Sequence, residues 1–224
     1  MYVGRKMTTE LITVTPDTPL FRARDLLREH DFKQLPVVDE QGKLVGILTD
    51  RDIKQAWASP ATTLSIYELT YVLQKLTVEK VMVKDPITIT PGATVERAAR
   101  TLHDRKIGSL PVVEGEKLVG IITATDLKEL LLDGLGIQEG SGRLVVLVRD
   151  RIGVLADVCG LLREENISIL SLVTLPLHQY PGVFELVMRV NVVDREKAVE
   201  CLTGSNYKVI TEYKRDLEPY LPLE

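Results

Sequence analysis

Apolar and polar positions along the chain follow two rhythms. Short apolar runs that stop at Pro, Gly or a charged turn read as strands, and stretches with apolar residues at helical spacing read as amphipathic helices. The run at residues 12–15 stops at Pro16, and a helical stripe follows at Leu20, Ala23 and Leu27. Two further runs, 35–38 and 43–49, flank the turn Asp39-Glu40-Gln41-Gly42, and an amphipathic segment covers 53–57. The same order then returns. A run at 87–90 stops at Pro91, Val95, Ala98 and Leu102 form a stripe, runs at 110–113 and 117–123 flank Glu114-Gly115-Glu116, and 127–132 is amphipathic. Residues 7–53 thus recur as 82–127, apart from a deletion near Gly42. Each copy predicts strand, helix, strand, strand, helix. A unit this small has little core of its own, so the copies are expected to pack on each other about a pseudo-two-fold axis, creating two related clefts.

Between the copies, Ile66, Leu69, Leu73 and Leu76 predict a connecting helix after Ser59-Pro60. Residues 134–142 are glycine-rich and read as a flexible linker. Beyond them the pattern is strand 143–149, turn Asp150-Arg151-Ile152-Gly153, helix 154–164, strands 167–173 and 183–193 around Pro181-Gly182, helix 195–202 and strand 208–213. Phe184, Leu186, Met188 and Val190 alternate with Glu185 and Arg189. One buried face of that kind predicts an antiparallel sheet with helices on one side, the ferredoxin-like βαββαβ arrangement. The class is therefore α+β. The expected boundaries are 1–58 and 77–133 for the repeats, 59–76 for the connection, 134–142 for the linker, 143–213 for the last domain and 214–224 for a tail. With Pro219 and Pro222, the tail either straps onto a neighbour or stays disordered.

The strongest chemical signal is a repeated phrase, Gly46-Ile47-Leu48-Thr49-Asp50-Arg51-Asp52 and Gly120-Ile121-Ile122-Thr123-Ala124-Thr125-Asp126. In each, a strand ends in Thr and a helix begins with Asp in its first turn. Unpaired amides and partial positive charge at a helix start attract an anion, and Thr49 or Thr123 adds a hydroxyl. Asp52 and Asp126 can accept from vicinal sugar hydroxyls. Gly46 and Gly120 leave a strand face bare for a flat ring or another backbone. Thr-x-x-Asp is also a variant of the capping box, in which the two residues satisfy only each other's end of the helix, and both readings stand.

The net charge of −4 supplies no basic field for nucleic acid or an anionic membrane surface, so neither is an expected partner. No apolar run approaches a membrane span, the start lacks a signal-peptide stretch, and the expected location is the cytoplasm. Cys159, with Leu155, Val158 and Leu162, and Cys201, near Ala198 and Leu202, fit apolar helix faces and read as buried thiols. His30, His103 and His178 are scattered, and no metal site is expected.

The order Ile-Thr-Val-Thr-Pro, helix, Leu-Pro-Val-Val-Asp and Lys-Leu-Val-Gly-Ile-Leu-Thr-x-x-Asp resembles the CBS domain, and its duplication over residues 7–132 resembles the paired Bateman module. The resemblance implies an adenosine-containing regulatory ligand in the clefts. It further implies Thr49 and Thr123 toward phosphate, Asp52 and Asp126 on ribose, and Ile47 and Ile121 beside the base, with Lys33, Gln34, Gly108 and Ser109 facing the ligand. Arg51 stands opposite Thr125 in the alignment, and Lys33 opposite Gly108. If both cations face their cleft, the first site prefers the more highly phosphorylated ligand; a solvated Arg51 is the alternative. Residues 143–213, with Asp150-Arg151-Ile152-Gly153-Val154-Leu155 followed by Asn166-Ile167, resemble the ACT domain. That implies side-by-side pairing and a small effector, often an amino acid, near Asp150, Gly153, Leu155 and Asn166. Gly153 shaping a turn and Asn166 ending a helix are the plainer roles. The domain order resembles the bacterial acetoin-utilisation accessory proteins.

No nucleophile elbow, phosphate-binding glycine-lysine phrase or dinucleotide fingerprint is present, so no enzyme is expected and no cofactor beyond a regulatory adenine nucleotide. Two readings follow: a homodimeric sensor acting on a partner enzyme or complex, and a constitutive assembly module whose ligand sites are degenerate.

Overall fold

The computed structural model describes residues 1–58 and 75–222, and the chain divides into two compact units, Met1–Leu127 and Lys128–Glu224. Most of the expected connecting helix lies outside the described residues; Leu76, its last apolar position, packs on the core of the first repeat.

In the first unit, repeat one forms α1 (Leu20–Glu29), β1 (Gln34–Val38), β2 (Leu44–Thr49) and α2 (Asp50–Ala58). Repeat two forms β3 (Val83–Lys84), α3 (Val95–Arg105), β4 (Ser109–Glu114), β5 (Lys117–Thr123) and the start of α4 (Ala124–Gly134), a helix whose residues from Lys128 on belong to the second unit. The sheets are β1-β2-β3 and β4-β5, all antiparallel. The predicted stripes are the buried ones: Leu20, Ala23 and Leu27 in α1, and Val95, Ala98 and Leu102 in α3. Thr94 caps α3, its hydroxyl accepting from the Arg97 amide at 3.2 Å.

The leading strand of each repeat is reduced to a single parallel bridge, Val14 to Val37 and Ile89 to Val112. The cause is proline on both sides. Pro16 and Pro91 end the run, and Pro36 and Pro111 accept from Val14 and Ile89 but have no N–H to extend the ladder.

The segments ahead of the repeats are exchanged. Residues 1–8 dock on repeat two, with Val3 donating to the Ala93 carbonyl at 2.8 Å and Thr8 to Ile121 at 2.9 Å. The segment ahead of repeat two docks on repeat one, with Val78 donating to Thr18 at 2.9 Å and the Leu20 amide to Leu76 at 2.8 Å. Each repeat therefore completes the other's core, and Val3 and Val78 are wholly buried. The two hairpins also meet at a Lys43–Lys117 bridge, beside which Lys43 pairs with Glu116.

The second unit is β6 (Ser141–Arg149), α5 (Val154–Glu164), β7 (Ile169–Pro176), β8 (Val183–Asn191), α6 (Arg195–Gly204) and β9 (Val209–Ile210), in the antiparallel order β7-β8-β6-β9. Val158, Leu162, Ala198 and Leu202 from the helices pack on Leu144, Val146, Leu186, Met188 and Val190. The expectation of one buried face needs correction. Val145 and Leu147, with Val183 and Ile210, are buried on the other face beneath Leu177, Tyr180, Leu217, Tyr220 and Leu221. The central strand β6 is continuously apolar over 144–148 because both its faces are covered. The tail supplies part of that cover.

Other boundaries moved for local reasons. Asn166 (φ 58°) and Ile167 close α5, Ile167 donating to the Leu162 carbonyl at 2.9 Å, so β7 begins later than the pattern indicated. Val192 and Val193 form a turn before α6, and the last strand shrinks to Val209–Ile210. The glycine-rich stretch is tied down: the Ser171 hydroxyl donates to the Leu135 carbonyl at 2.7 Å. Leu155 is 41% exposed and leaves the stripe to Val158 and Leu162, while Cys159 and Cys201 are half-buried free thiols. No described helix is long and apolar enough to cross a membrane.

Candidate functional site

The two Thr-x-x-Asp phrases adopt the same geometry. In the first, Oδ2 of Asp52 accepts from the Thr49 amide at 2.9 Å and the Thr49 hydroxyl at 2.6 Å, and the Asp52 amide donates back to the Thr49 hydroxyl at 3.2 Å. In the second, the corresponding distances through Thr123 and Asp126 are 2.7, 2.9 and 3.2 Å. Both are reciprocal capping boxes. The next amides are taken as well, Asp50 donating to the Lys33 carbonyl and Ala124 to Gly108, each at 3.0 Å. The idea of a helix start rich in free amides is thereby corrected: the chain itself satisfies most of the first turn. The threonine hydroxyl has given its only proton to the carboxylate, so toward a ligand it can only accept. Oδ1 of each aspartate carries none of these bonds and keeps its accepting capacity.

Gly46 and Gly120 also have a different role from the bare strand face expected. A Cβ on Gly46 would lie 2.5 Å from Sδ of Met82 and 3.0 Å from the Val83 carbonyl; one on Gly120 would lie 2.5 Å from Sδ of Met7 and 3.1 Å from the Thr8 carbonyl. The absent side chains admit the exchanged segments, not a ring.

A cavity of about 700 Å³ opens beside the first phrase. Repeat one contributes Lys33, Gln34, Ile47, Thr49, Arg51 and Asp52, and repeat two contributes Gly108 and Ser109, so these eight predicted residues meet in one place. The wall is apolar at Ile47, Val83, Ile87 and Pro111 and charged at Lys33, Arg51, Lys54, Lys106, Asp50, Asp52 and Asp85. Lys54 is paired with Asp50 at 2.5 Å, and Lys33 stands 3.5 Å from Asp31. Arg51 and Lys106 have no ion-pair partner among the described residues. Ile121, Thr123 and Asp126 do not line this cavity. Val83, Asp85, Ile87 and Lys106 escaped the sequence reading. Lys106 lies at the left-handed end of α3 (φ 54°), where no motif marks it.

In the second unit a cavity of about 380 Å³ is bounded by Val148, Asp150, Gly153, Leu155, Thr174 and Phe184, among others. Gly153 (φ 87°) starts α5 without a side-chain cap, and the Val154 amide turns back to the Arg151 carbonyl at 3.4 Å. Arg151 is held by Asp157 at 2.6 Å, and that bond raises the guanidinium pKa above its ordinary value. Asn166 is not among the lining residues; its place is at the other end of α5.

Comparison with known proteins finds two families along the chain. The family profile described as CBS domain matches residues 3–59 and 78–133, and that described as ACT domain matches 142–203. A CBS domain-containing protein of Dictyostelium discoideum is 34% identical over 131 residues, which cover 58% of this chain and 90% of that protein. Inosine-5'-monophosphate dehydrogenase of Halalkalibacterium halodurans is 31% identical over 209 residues, 91% of this chain but only 39% of the dehydrogenase. Among solved structures, a putative acetoin utilization protein (AcuB) from Vibrio cholerae superposes with TM-score 0.53 at 30% identity, covering 62% of this chain and 96% of that one. CBSX2 in complex with AMP superposes with TM-score 0.50 at 31% identity, covering 58% and 96%.

Proposed function

Because the chain belongs to the CBS-domain family and carries an ACT domain after its CBS pair, we propose that it is a non-catalytic regulatory sensor. It binds an adenine nucleotide (AMP, ADP, ATP or S-adenosylmethionine) in the cavity beside Thr49 and Asp52. It takes a small effector, such as an amino acid, in the cavity beside Asp150 and Gly153, and it passes the signal to a partner protein as a cytoplasmic homodimer. CBS pairs and ACT domains are regulatory modules, and the similar CBSX2 structure holds AMP.

The observation that carries the reading is the meeting of Asp52, an apolar wall and Arg51, Lys33 and Lys106 in one cavity of about 700 Å³. That volume lies within the range of small-molecule sites, about 300–1,000 Å³. The free oxygen of Asp52 accepts from ribose hydroxyls, Ile47 and Pro111 flank the base, and the cations meet the phosphates. Thr49 orients Asp52 instead of donating to the phosphate. Since Arg51 and Lys106 lack a carboxylate partner among the described residues, the more highly phosphorylated nucleotide gains most.

Calorimetric titration of the full chain with ATP and AMP tests this. ATP is expected to bind more tightly than AMP, and Arg51→Ala to narrow the gap by about tenfold, or about 1.4 kcal/mol. Unchanged affinities for both in the variant would remove the phosphate role, and absence of binding by any adenylate would remove the sensor. The second reading, an assembly module without input, draws on the capping boxes, which account for both Thr-x-x-Asp phrases without a ligand. It requires that no adenylate or amino acid shift the melting temperature.

A further inference from the structure

The second unit carries another cavity, of about 430 Å³, which the sensor reading does not use. Arg149 and Arg151 bring cations to it from the end of β6, and Lys208 brings a third from the turn between α6 and β9. Ser205 and Tyr207 in that turn add hydroxyls, and Pro222 of the tail lines the same space. Among the described residues, no carboxylate lines it. Arg149 and Lys208 have no ion-pair partner among the described residues, and Arg151 is fixed from outside the lining by its bond to Asp157. Leu147, Val148 and Val154 give the remaining wall an apolar surface.

Arg151 is neutralised by Asp157, but Arg149 and Lys208 converge on the same space without an ion-pair partner among the described residues, which is unfavourable unless an anion enters. The forked guanidiniums suit a phosphate, and the apolar wall suits a body attached to it. We infer that this cavity is a binding site for a small organic phosphate monoester, separate from the nucleotide cavity of the first unit. It shares Arg149 and Arg151 with the effector cavity but alone contains Lys208, Ser205 and Tyr207. The tail covers the sheet face beneath Tyr220 and Leu221 and ends its described part at this site, so occupancy also fastens the tail.

The test uses phenyl phosphate as probe on the full chain at low ionic strength, with Arg51→Ala and Lys208→Gln variants. Lys208 is exposed, and the fold of the variant is verified by circular dichroism. Binding is expected in the wild type and in Arg51→Ala, weakened about tenfold in Lys208→Gln and by added salt. Protection of the tail from cleavage after the exposed Arg215 should accompany it. Absence of binding, equal binding of benzyl alcohol or inorganic phosphate, or unchanged affinity in Lys208→Gln would overturn the site. Loss in Arg51→Ala alone would assign the phosphate to the nucleotide cavity and overturn it too. Because Lys208 and Arg51 lie in different units, failure here is distinguishable from failure of the sensor reading.

Discussion

Asp52 and Asp126 are equivalent as helix caps and inequivalent as lining residues, which makes the pair Asp52→Ala and Asp126→Ala informative. Each substitution removes one carboxylate oxygen that accepts both an amide and a hydroxyl, at 2.9 and 2.6 Å in the first repeat and 2.7 and 2.9 Å in the second. The hydroxyl of Thr49 or Thr123 still caps the helix, so what is lost is the carboxylate's hydrogen bonding, about 1 kcal/mol net, and loss of negative charge at the helix start adds about 0.3–1 kcal/mol. Both variants should therefore lose about 1.5 kcal/mol without ligand, a fall in melting temperature of roughly 3–6 °C for a chain of this size. Far-UV circular dichroism follows the unfolding of both variants. Ligand separates the two. At about 100 times its dissociation constant AMP adds about 2.7 kcal/mol to a competent protein, which the Asp126 variant should retain at the first cavity. The Asp52 variant also loses a charged hydrogen bond to ribose worth about 1.5–3 kcal/mol, about 10- to 100-fold in affinity. Equal loss of binding in both variants, or a stability cost in only one, would refute the reasoning.

Gly46→Ala and Gly120→Ala should each cost about 1–3 kcal/mol in urea unfolding through overpacking, because a backbone carbonyl as well as the methionine sulfur stands in the way. Met82→Ala should relieve part of the Gly46→Ala penalty and none of that at Gly120, and additivity at Gly46 would exclude the close approach as the cause. Replacing Tyr220 and Leu221 together by Ala should uncover the second sheet face, with increased binding of a hydrophobic dye and about 1–3 kcal/mol lost. Burial, then the nearby carboxylates of Glu165 and Glu164, raise the Cys201 thiol pKa. The protonated thiol is therefore favoured by folding. The stability it contributes is present below the ordinary thiol pKa and is lost as pH rises through the folded value. Alkylation of Cys201 should accelerate at higher pH in the folded chain than in urea, and coincident profiles would disprove the burial effect.

Wherever one residue's periodicity decides its surroundings, the chain was legible from sequence. The stripes Leu20-Ala23-Leu27 and Val95-Ala98-Leu102 are buried as read, and so is the alternation Leu186-Met188-Val190. Features that depend on a distant segment were not. Nothing near Gly46 announces that Met82 will fill its face, because the exchange of leading segments pairs residues from opposite repeats. Val145 and Leu147 did signal a second covered face, since a strand with one wet side alternates. That signal was readable in the run Leu144–Val148 and outweighed the alternation of β8. The capping boxes illustrate a further limit. Donors, acceptors and spacing are equally those of a cap and of a sugar site, and only the use of one oxygen and the freedom of the other distinguishes the two roles.

Duplication explains why a symmetric scaffold yields unequal clefts. Packing positions are matched across the repeats: Leu35 and Leu110, Leu48 and Ile122, and Val3 and Val78 are all wholly buried. Positions at the rim are free to diverge, since surface substitutions cost about 0.5 kcal/mol or less. Arg51 faces Thr125 in the alignment, and Lys106 faces Asp31, both of the latter in the left-handed conformation after their helix. Each of these differences alters the charge at one cleft while leaving the backbone alone. Lys106 reaches the first cavity from the opposite repeat, so its charge joins those of Arg51 and Lys33 although it is remote from them in sequence. Asp31, its counterpart, stands beside Lys33 at 3.5 Å and competes for that cation instead of adding one. The charge that favours a phosphorylated ligand is thus a property of the pair of repeats, assembled from both.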